Sequence, residues 1–220
     1  WLLAASYYFY KSWNAKYAVL IGFSTVVTYL TGILIEQISF EEGKLWRRLK
    51  KFTLFLGIST NLALLFMFKY LDFATDNINT LLSSLGLSVI DQKFDLLLPV
   101  GISFYTFQAL GYVIDVYRKN VDVQKNYFSV LLYITFFPQL IAGPIVRYST
   151  IDAQLSHRKV TAEKFSLGIV TFIVGLGKKV IIANNLGQLI EIFRDSGEKS
   201  VLFYWMYAVA FMLHIYFDFS

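Results

Sequence analysis

The feature that most constrains this chain is an apolar stretch of membrane length that contains a proline and a glycine. It covers residues 96–117, with Pro99 and Gly101 near its beginning. Proline and glycine interrupt a helix and free backbone groups that lipid cannot satisfy. Such a stretch must therefore be buried against other protein segments or line a polar cavity.

The composition places the whole chain in a membrane. Of its 220 residues, 56% are apolar and 16% are charged, and the charges cluster between apolar runs. A soluble domain of this size could not bury so much apolar surface. At roughly 20 residues per crossing, about six membrane segments fit. We therefore predict an all-α, polytopic transmembrane helical bundle, forming a single membrane domain over 1–220. After a truncated apolar segment at 1–10, the predicted segments are 17–35, 52–70, 96–117, 128–146, 165–193 and 201–220.

Basic residues predict the orientation of these segments. The densest basic cluster lies in the loop 36–51, and a second follows residue 117. Loops rich in lysine and arginine stay on the cytoplasmic side, so both are predicted to lie inside. Because the net charge of +5 is carried by such short loops, nucleic-acid binding is not indicated. The sequence has no cysteine, which excludes a disulfide framework and a thiolate nucleophile.

The segment 128–146 does not fit a simple crossing. A crossing would place the basic loop that follows it outside, against the charge rule. Pro138, Gly143 and Pro144 offer another solution, because they can break the helix. We favour a broken, re-entrant element that lines a cavity, with a full crossing as the alternative.

Two local patterns make further predictions. Asn61 lies in the middle of an apolar segment and should face protein rather than lipid. In the long outer segment 71–95, apolar residues recur at helical spacing and Gly86 is placed to end a helix. A short amphipathic helix on the outer membrane surface is predicted there, with an apolar stripe formed by Ile78, Leu81, Leu82 and Leu85.

Two histidines are candidates for acid–base chemistry. His157 lies in a basic loop and is expected to be a solvated surface residue. His214 lies in an apolar segment four residues before Asp218, so the two side chains share one helix face. A histidine and a carboxylate inside a membrane suggest function, whereas the structural alternative is a hydrogen bond within the bundle. Asp218 needs a partner, and His214, Arg147 or a residue beyond this sequence are the candidates.

Basic residues after the broken element could form an anion-binding mouth. Arg147 follows Gly143 and Pro144, and the loop continues to Arg158 and Lys159. Such cations could attract the phosphates of a coenzyme, or they could only set the topology and contact lipid headgroups. Lys178 and Lys179 could support the same mouth or extend towards the interface. Asp115 and Arg118 are expected to form an ion pair at a helix end. No metal-ligand spacing is present in the sequence.

Three motifs run from Leu98 to Tyr105, from Phe136 to Arg147 and from Ile215 to Ser220. They resemble motifs of the membrane-bound O-acyltransferase family, in particular of its alginate O-acetyltransferase-like branch. They occur in the same order as in that branch, and the resemblance covers nearly the whole chain. In the branch, the last motif continues into Gly-Tyr-Ser-Asp, so the chain is expected to be a fragment of a larger domain, truncated at both ends.

The resemblance implies an acyltransferase of the bacterial cytoplasmic (inner) membrane. Acetyl-CoA or another acyl-CoA would be the donor, hydroxyls of an extracytoplasmic polysaccharide the acceptor, and an extracytoplasmic acetyltransferase-type protein a partner. No metal is implied. The family's invariant histidine lies in a Trp-His-Gly type motif that this chain does not contain, so the chain alone is expected to be inactive.

The resemblance also implies roles for individual residues. The branch more often has glutamine at the position of His214, which leaves His214 as a secondary candidate for a direct role. The expected acyl-CoA mouth consists of Arg147, Arg158, Lys159 and Lys178. The expected cavity-lining residues are His214, Asp218, Tyr216, Pro99, Gly101, Ser103, Gly143 and Pro144.

Other functions stay open at the level of sequence. Broken helices and an intramembrane histidine and aspartate also suit a transporter or channel module. A non-catalytic scaffold for a partner enzyme is a further alternative. Within the same family, transfer of D-alanyl groups to teichoic acid is possible as well.

Overall fold

The computed structural model describes residues 1–41, 43–88, 97–142, 145–156, 160–197 and 200–220. These ranges contain helices and no strand, which confirms the predicted all-α class. One long helical stretch, from Ala162 to Asp195, includes a π-helical segment at Lys178–Ala183. The helices are α1 Leu2–Trp13, α2 Ala15–Ser39, α3 Lys44–Lys69, α4 Leu71–Ser84, α5 Ile102–Tyr117, α6 Tyr127–Thr135, α7 Phe137–Ala142, α8 Tyr148–Ser156, α9 Ala162–Gly177, α10 Asn184–Asp195 and α11 Val201–Phe219.

Four helical stretches in the described ranges are long and apolar enough to cross a membrane: Ala15–Ser39, Lys44–Lys69, Ala162–Asp195 and Val201–Phe219. They coincide with four of the segments predicted from hydropathy. The predicted total of about six membrane segments stays a prediction, because α5 has 16 residues and α6 has nine.

Helix α5 is shorter than the predicted segment 96–117, since it begins only at Ile102. Pro99 is buried, and Gly101 ends the preceding turn with φ +72°. The carbonyls that this break exposes accept hydrogen bonds from tyrosines of other helices. Tyr10 donates to the carbonyl of Val100, and Tyr17 donates to that of Leu97 at 2.5 Å. The break is therefore satisfied by protein, as the sequence requires.

The segment 128–146 is interrupted, in agreement with the predicted broken element. Helix α6 ends at Thr135, Phe136 is extended (ψ 103°), and α7 begins at Phe137. Pro138 then occupies the first turn of α7, where its missing N–H costs no helical hydrogen bond. Gly143 and Pro144 lie outside the described residues. The choice between re-entry and crossing stays open.

Helices α2 and α3 pack through a polar seam that contains Asn61. The Asn61 side chain accepts from Ser24 Oγ at 2.6 Å and donates to the Gly57 carbonyl at 3.0 Å. Asn61 is buried, which confirms that it faces protein. Close approach of the two helices requires Gly57, because a Cβ there would lie 2.5 Å from side-chain atoms of Thr31. Small and hydroxyl-bearing residues are typical of helix contacts inside membranes.

Helix α4 ends at Ser84, and Gly86 terminates it from just beyond the cap residue Leu85, as predicted. Gly86 has φ +70°. Its N–H donates a hydrogen bond to the carbonyl of Ser83, and the N–H of Leu87 donates one to the carbonyl of Leu82. These two bonds define a Schellman motif. Of the predicted apolar stripe, Ile78, Leu81 and Leu85 are exposed, so protein does not cover that face in the described ranges. Its location on a membrane surface stays a prediction.

The chain divides into two compact units, residues 1–156 and 157–220. The core of the first unit surrounds α5, and its largest fully buried side chains are tyrosines: Tyr105, Tyr112, Tyr133 and Tyr148. In the second unit, α10 and the π-helical segment pack along α11, while α9 contains no buried residue. The single membrane domain stays a prediction.

Candidate functional site

The second unit contains a π-helical segment that begins with two consecutive lysines. In this segment hydrogen bonds span five residues, as between the N–H of Asn184 and the carbonyl of Lys179. Such segments are rare and frequently occur at functional sites. Sequence reasoning predicted no such segment, and the only visible signal was the pair Lys178-Lys179 inside an apolar stretch.

Asp218 forms an ion pair with Lys179, whose Nζ donates to Asp218 Oδ1. This differs from the expected partners His214 and Arg147. The reason is geometric: Asp218 lies in the last turn of α11, and the long stem of Lys179 extends to it from the π-helical segment. The Asp218 side chain is 27% exposed and that of Lys179 is 53% exposed. Among the residues that the structure describes, this is the one salt bridge.

Lys178 contacts the same end of α11. Its Nζ donates to Ser220 Oγ at 3.2 Å and to the Ser220 carbonyl at 3.5 Å. Two consecutive lysines thus bind the same end of α11, Lys179 at Asp218 in its last turn and Lys178 at the cap residue Ser220. Lys178 was predicted to belong to a cationic mouth, and it still lies partly exposed beside this contact.

His214 joins α11 to the end of the π-helical segment. Its Nδ1 lies 2.8 Å from the carbonyl oxygen of Ala183. A carbonyl only accepts, so Nδ1 carries the proton and Nε2 holds the lone pair when the ring is neutral. The ring also packs over Gly187, where a Cβ would lie 3.2 Å from Cε1. His214 therefore makes a structural hydrogen bond within the bundle and does not pair with Asp218.

Together these contacts place two ammonium groups, one carboxylate and one imidazole near the end of α11. An imidazole whose Nδ1–H is held by a carbonyl resembles an oriented base, because its Nε2 can accept a proton. The ion pair places a carboxylate against an ammonium group where two apolar helical segments pack together. In the described part of the chain, no group of three or more His, Cys, Asp or Glu residues could hold a metal ion.

The remaining predicted site residues lie elsewhere in the chain. In the first unit, the Ser103 hydroxyl accepts from Lys69 Nζ at 3.4 Å, close to the break that contains Pro99 and Gly101. Arg147 is exposed just before α8. In the second unit, Tyr216 is 61% exposed. Five of the residues considered as site candidates lie outside the described ranges: Gly143, Pro144, His157, Arg158 and Lys159.

The expected ion pair between Asp115 and Arg118 does not form. Asp115 is buried and accepts from the Asn120 side chain at 3.1 Å, while Arg118 is exposed. The cause is the turn at Lys119, whose φ of +60° returns the chain over the end of α5. This turn brings Asn120 to the carboxylate instead of Arg118.

A second polar cluster in the first unit was not found from the sequence. Tyr148 donates to Asp152 Oδ1 at 2.7 Å and accepts from Gln124 Nε2 at 3.0 Å. Burial, followed by the hydrogen bond to Asp152, raises the pKa of the Tyr148 hydroxyl above its ordinary value. Tyr148 and Asp152 are one helical turn apart in α8, but Gln124 lies 24 residues before Tyr148, so no local pattern indicates that the three meet.

Two buried polar atoms on α5 also escaped sequence reasoning. The Tyr105 hydroxyl and Gln108 Oε1 have no hydrogen-bond partner among the residues that the structure describes. Their spacing of three places them on one helix face. Burying a polar atom without a partner is costly, so these atoms mark a place where a water molecule or a polar group could be accommodated.

Four apolar helices of membrane-spanning length, with a charged pair on two neighbouring helical segments, define a membrane protein. Comparison with known proteins shows which family this chain resembles. Residues 118–219 match the model of the MBOAT, membrane-bound O-acyltransferase family. The predicted resemblance to this family is thereby confirmed. No solved structure matches the chain at a significant level.

Curated relatives match over the full chain. It is 36% identical over 222 residues to a probable alginate O-acetylase AlgI of Pseudomonas aeruginosa, and 34% identical over 221 residues to that of Azotobacter vinelandii. It is 33% identical over 248 residues to a peptidoglycan O-acetyltransferase of Helicobacter pylori. All of this chain is covered, but only 41%, 43% and 45% of these relatives. The chain thus spans less than half of their length.

Proposed function

We propose that this chain is part of a membrane O-acyltransferase that transfers acetyl groups to hydroxyls of an extracytoplasmic polysaccharide. The observation that carries the proposal is the similarity of every part of the chain to relatives named for O-acetyl transfer. Their names specify two acceptors, alginate and peptidoglycan, which share sugar hydroxyls. The proposal therefore specifies the acetyl group and the class of acceptor, and alginate is the first polymer to test.

The donor in this proposal is acetyl-CoA, which approaches from the cytoplasm. Its phosphates would be attracted by the predicted mouth residues Arg147, Arg158, Lys159 and Lys178. The protein would lie in the bacterial inner membrane as a multi-pass protein. An extracytoplasmic acetyltransferase-type protein would then complete the modification of the polymer.

The contacts at the end of α11 would support this function by shaping the polar interior. The Lys179–Asp218 pair and the His214–Ala183 hydrogen bond both hold α11 against the π-helical segment. Fixed polar groups of this kind are what a passage for a charged donor needs inside a membrane. In this proposal the histidine that assists acyl transfer lies outside the present sequence, and the segment alone is inactive.

The experiment is to delete, in the source bacterium, the complete gene that encodes this segment. The acetyl ester content of the purified extracellular polysaccharide and of peptidoglycan is then measured by proton NMR. We expect the acetyl signal of one polymer to disappear, and to return when the intact gene is supplied. Unchanged acetyl content in both polymers, or loss of D-alanyl esters instead, would overturn the proposal.

A matched pair of variants tests whether the site described above contributes. Lys179→Met removes the partner of Asp218, and Lys164→Met removes an exposed lysine in the first turn of α9. In the full-length protein we expect the first change to lower acetylation at equal membrane abundance, and the second to leave it unchanged. Equal acetylation by both variants would show that the pair has no role in the reaction.

A further inference from the structure

The first two turns of α3 carry a stripe of four cations. Lys44, Arg47, Arg48 and Lys51 recur at helical spacing, so they share one face of the helix. All four are exposed. None of them forms an ion pair or a side-chain hydrogen bond with any residue in the described ranges. These four residues are called the cationic stripe below.

The protein supplies little charge to balance the stripe. The first turn of α3 has no acidic residue, and Gly43 provides no side-chain cap. Cations are disfavoured at a helix N-terminus, because the helix dipole is positive there. Residues 41–51 contain five basic and two acidic side chains, which gives a net charge of +3. An anion from outside the protein would compensate this charge.

The length of α3 places the stripe at the level of lipid headgroups. Residues 52–68, which carry no charge, form a stretch about 26 Å long at 1.5 Å per residue, which is close to the thickness of a hydrocarbon core. The two preceding turns must then extend into the headgroup region. Trp46 and Leu45 lie in these turns and are exposed. Tryptophan is enriched at this depth of a membrane.

The end of α5 adds positive charge at the same end of the first unit. Lys50 Nζ lies 4.9 Å from the centre of the Tyr117 ring, which joins the beginning of α3 to the end of α5. Arg118 and Lys119 follow Tyr117 and are exposed. The positive surface therefore extends beyond the stripe.

We propose that the cationic stripe binds the phosphate headgroups of anionic phospholipids. Guanidinium groups donate paired hydrogen bonds to phosphate oxygens, and the neighbouring lysines add point charges. A zwitterionic headgroup carries its own ammonium group, which offsets the attraction. The stripe therefore selects lipids with a net negative charge. This inference does not depend on the acyl-transfer reaction.

The test measures lipid binding to the full-length protein in detergent. Phosphatidylglycerol and phosphatidylcholine are titrated separately, and bound lipids are counted by native mass spectrometry. In the stripe variant, the residues are changed as Lys44→Gln, Arg47→Gln, Arg48→Gln and Lys51→Gln. The control removes the same charge from exposed cations outside the stripe, by Lys11→Gln, Lys16→Gln, Lys164→Gln and Arg194→Gln.

We expect the intact protein to prefer phosphatidylglycerol, and the stripe variant to lose that preference by about tenfold or more. The control should retain it, and raised salt should weaken it in the intact protein. If the fourfold variant fails to fold, the double variant Arg47→Gln, Arg48→Gln should show a smaller loss in the same direction.

Equal preferences in the stripe variant and the control would overturn the proposal. So would equal binding of the two lipids by the intact protein. Displacement of phosphatidylglycerol by millimolar coenzyme A would show that the stripe is a site for a soluble phosphate ligand instead. Inorganic phosphate at the same ionic strength controls for simple screening.

Discussion

At the scale of single residues, the carboxylate of Asp218 pairs with a lysine that lies 39 residues away in the sequence. A carboxylate in an apolar helix is stable only if it is paired or hydrated. Lys179 supplies that pairing, while His214 one turn earlier is bound to the carbonyl of Ala183. Two residues that share a helix face thus serve two different contacts.

Breaking this pair from one side should destabilise the protein more than removing it altogether. Lys179→Met leaves the carboxylate uncompensated, so we expect a loss of about 1–2 kcal/mol in the free energy of unfolding, between the values typical of exposed and of buried pairs. Changing Asp218→Leu as well should restore much of the loss. The measurement is thermal unfolding in detergent micelles, with Lys164→Met as the control. A double variant less stable than the single one would contradict this account.

At the scale of elements, the contact between α2 and α3 depends on one position without a side chain. Gly57→Ala would place a Cβ 2.5 Å from atoms of Thr31, so the helices must separate or shift. We expect a loss of stability of about 1–3 kcal/mol, as for overpacked cores. The double change Gly57→Ala, Thr31→Ala should recover part of it.

Gly111→Ala is the matched control for this prediction. Gly111 lies inside α5, and a Cβ there would meet no atom within 4 Å. Alanine favours a helix over glycine by up to about 1 kcal/mol, so this change should be neutral or stabilising. Thermal unfolding of both variants in the same detergent gives the comparison. Equal effects of the two changes would show that the α2–α3 contact is not tightly packed.

The start of α5 makes a second prediction at this scale. Gly101 and Gly86 have similar backbone angles, φ +72° and +70°. A Cβ on Gly101 would lie 2.7 Å from the carbonyl oxygen of Leu140 in α7, whereas one on Gly86 would meet nothing within 4 Å. Gly86→Ala should therefore lower the free energy of unfolding by about 1–2 kcal/mol, which is the cost of an alanine in the left-handed conformation. Gly101→Ala should lower it clearly more, because the Cβ also meets the Leu140 carbonyl. Unfolding temperatures of the two variants that agree within error would exclude the close contact.

At the scale of the whole molecule, charge is arranged as the loop pattern predicts. The basic loops at 36–51 and after residue 117 were both predicted on the cytoplasmic side. In the first unit they lie at one end, where Glu36 and Ser39 line the same 220 Å³ cavity as Lys119 and Asp122. The compartment that this end faces stays a prediction, but the grouping of the two loops does not depend on it.

The sequence by itself determined what depends on local backbone and on hydropathy. It determined the all-α class, the four long apolar helical stretches, the helix end at Gly86 and the burial of Asn61. The three motifs also indicated the resemblance to the membrane-bound O-acyltransferase family, since they are contiguous runs of residues. Each of these depends on neighbours within a few turns, or on the cost of placing a polar group in lipid.

Only the tertiary structure decided which distant groups meet. The hydrogen bond from Tyr10 to Val100 joins residues 90 apart, and it permits α5 to begin after a break. The partner of Asp218 was likewise decided by how the π-helical segment packs on α11. Spacing within one helix shows which residues share a face, but not what lies opposite that face. The contacts of the candidate site depend on the residues of the neighbouring helical segment, and only the packing of the two segments determines which residues those are.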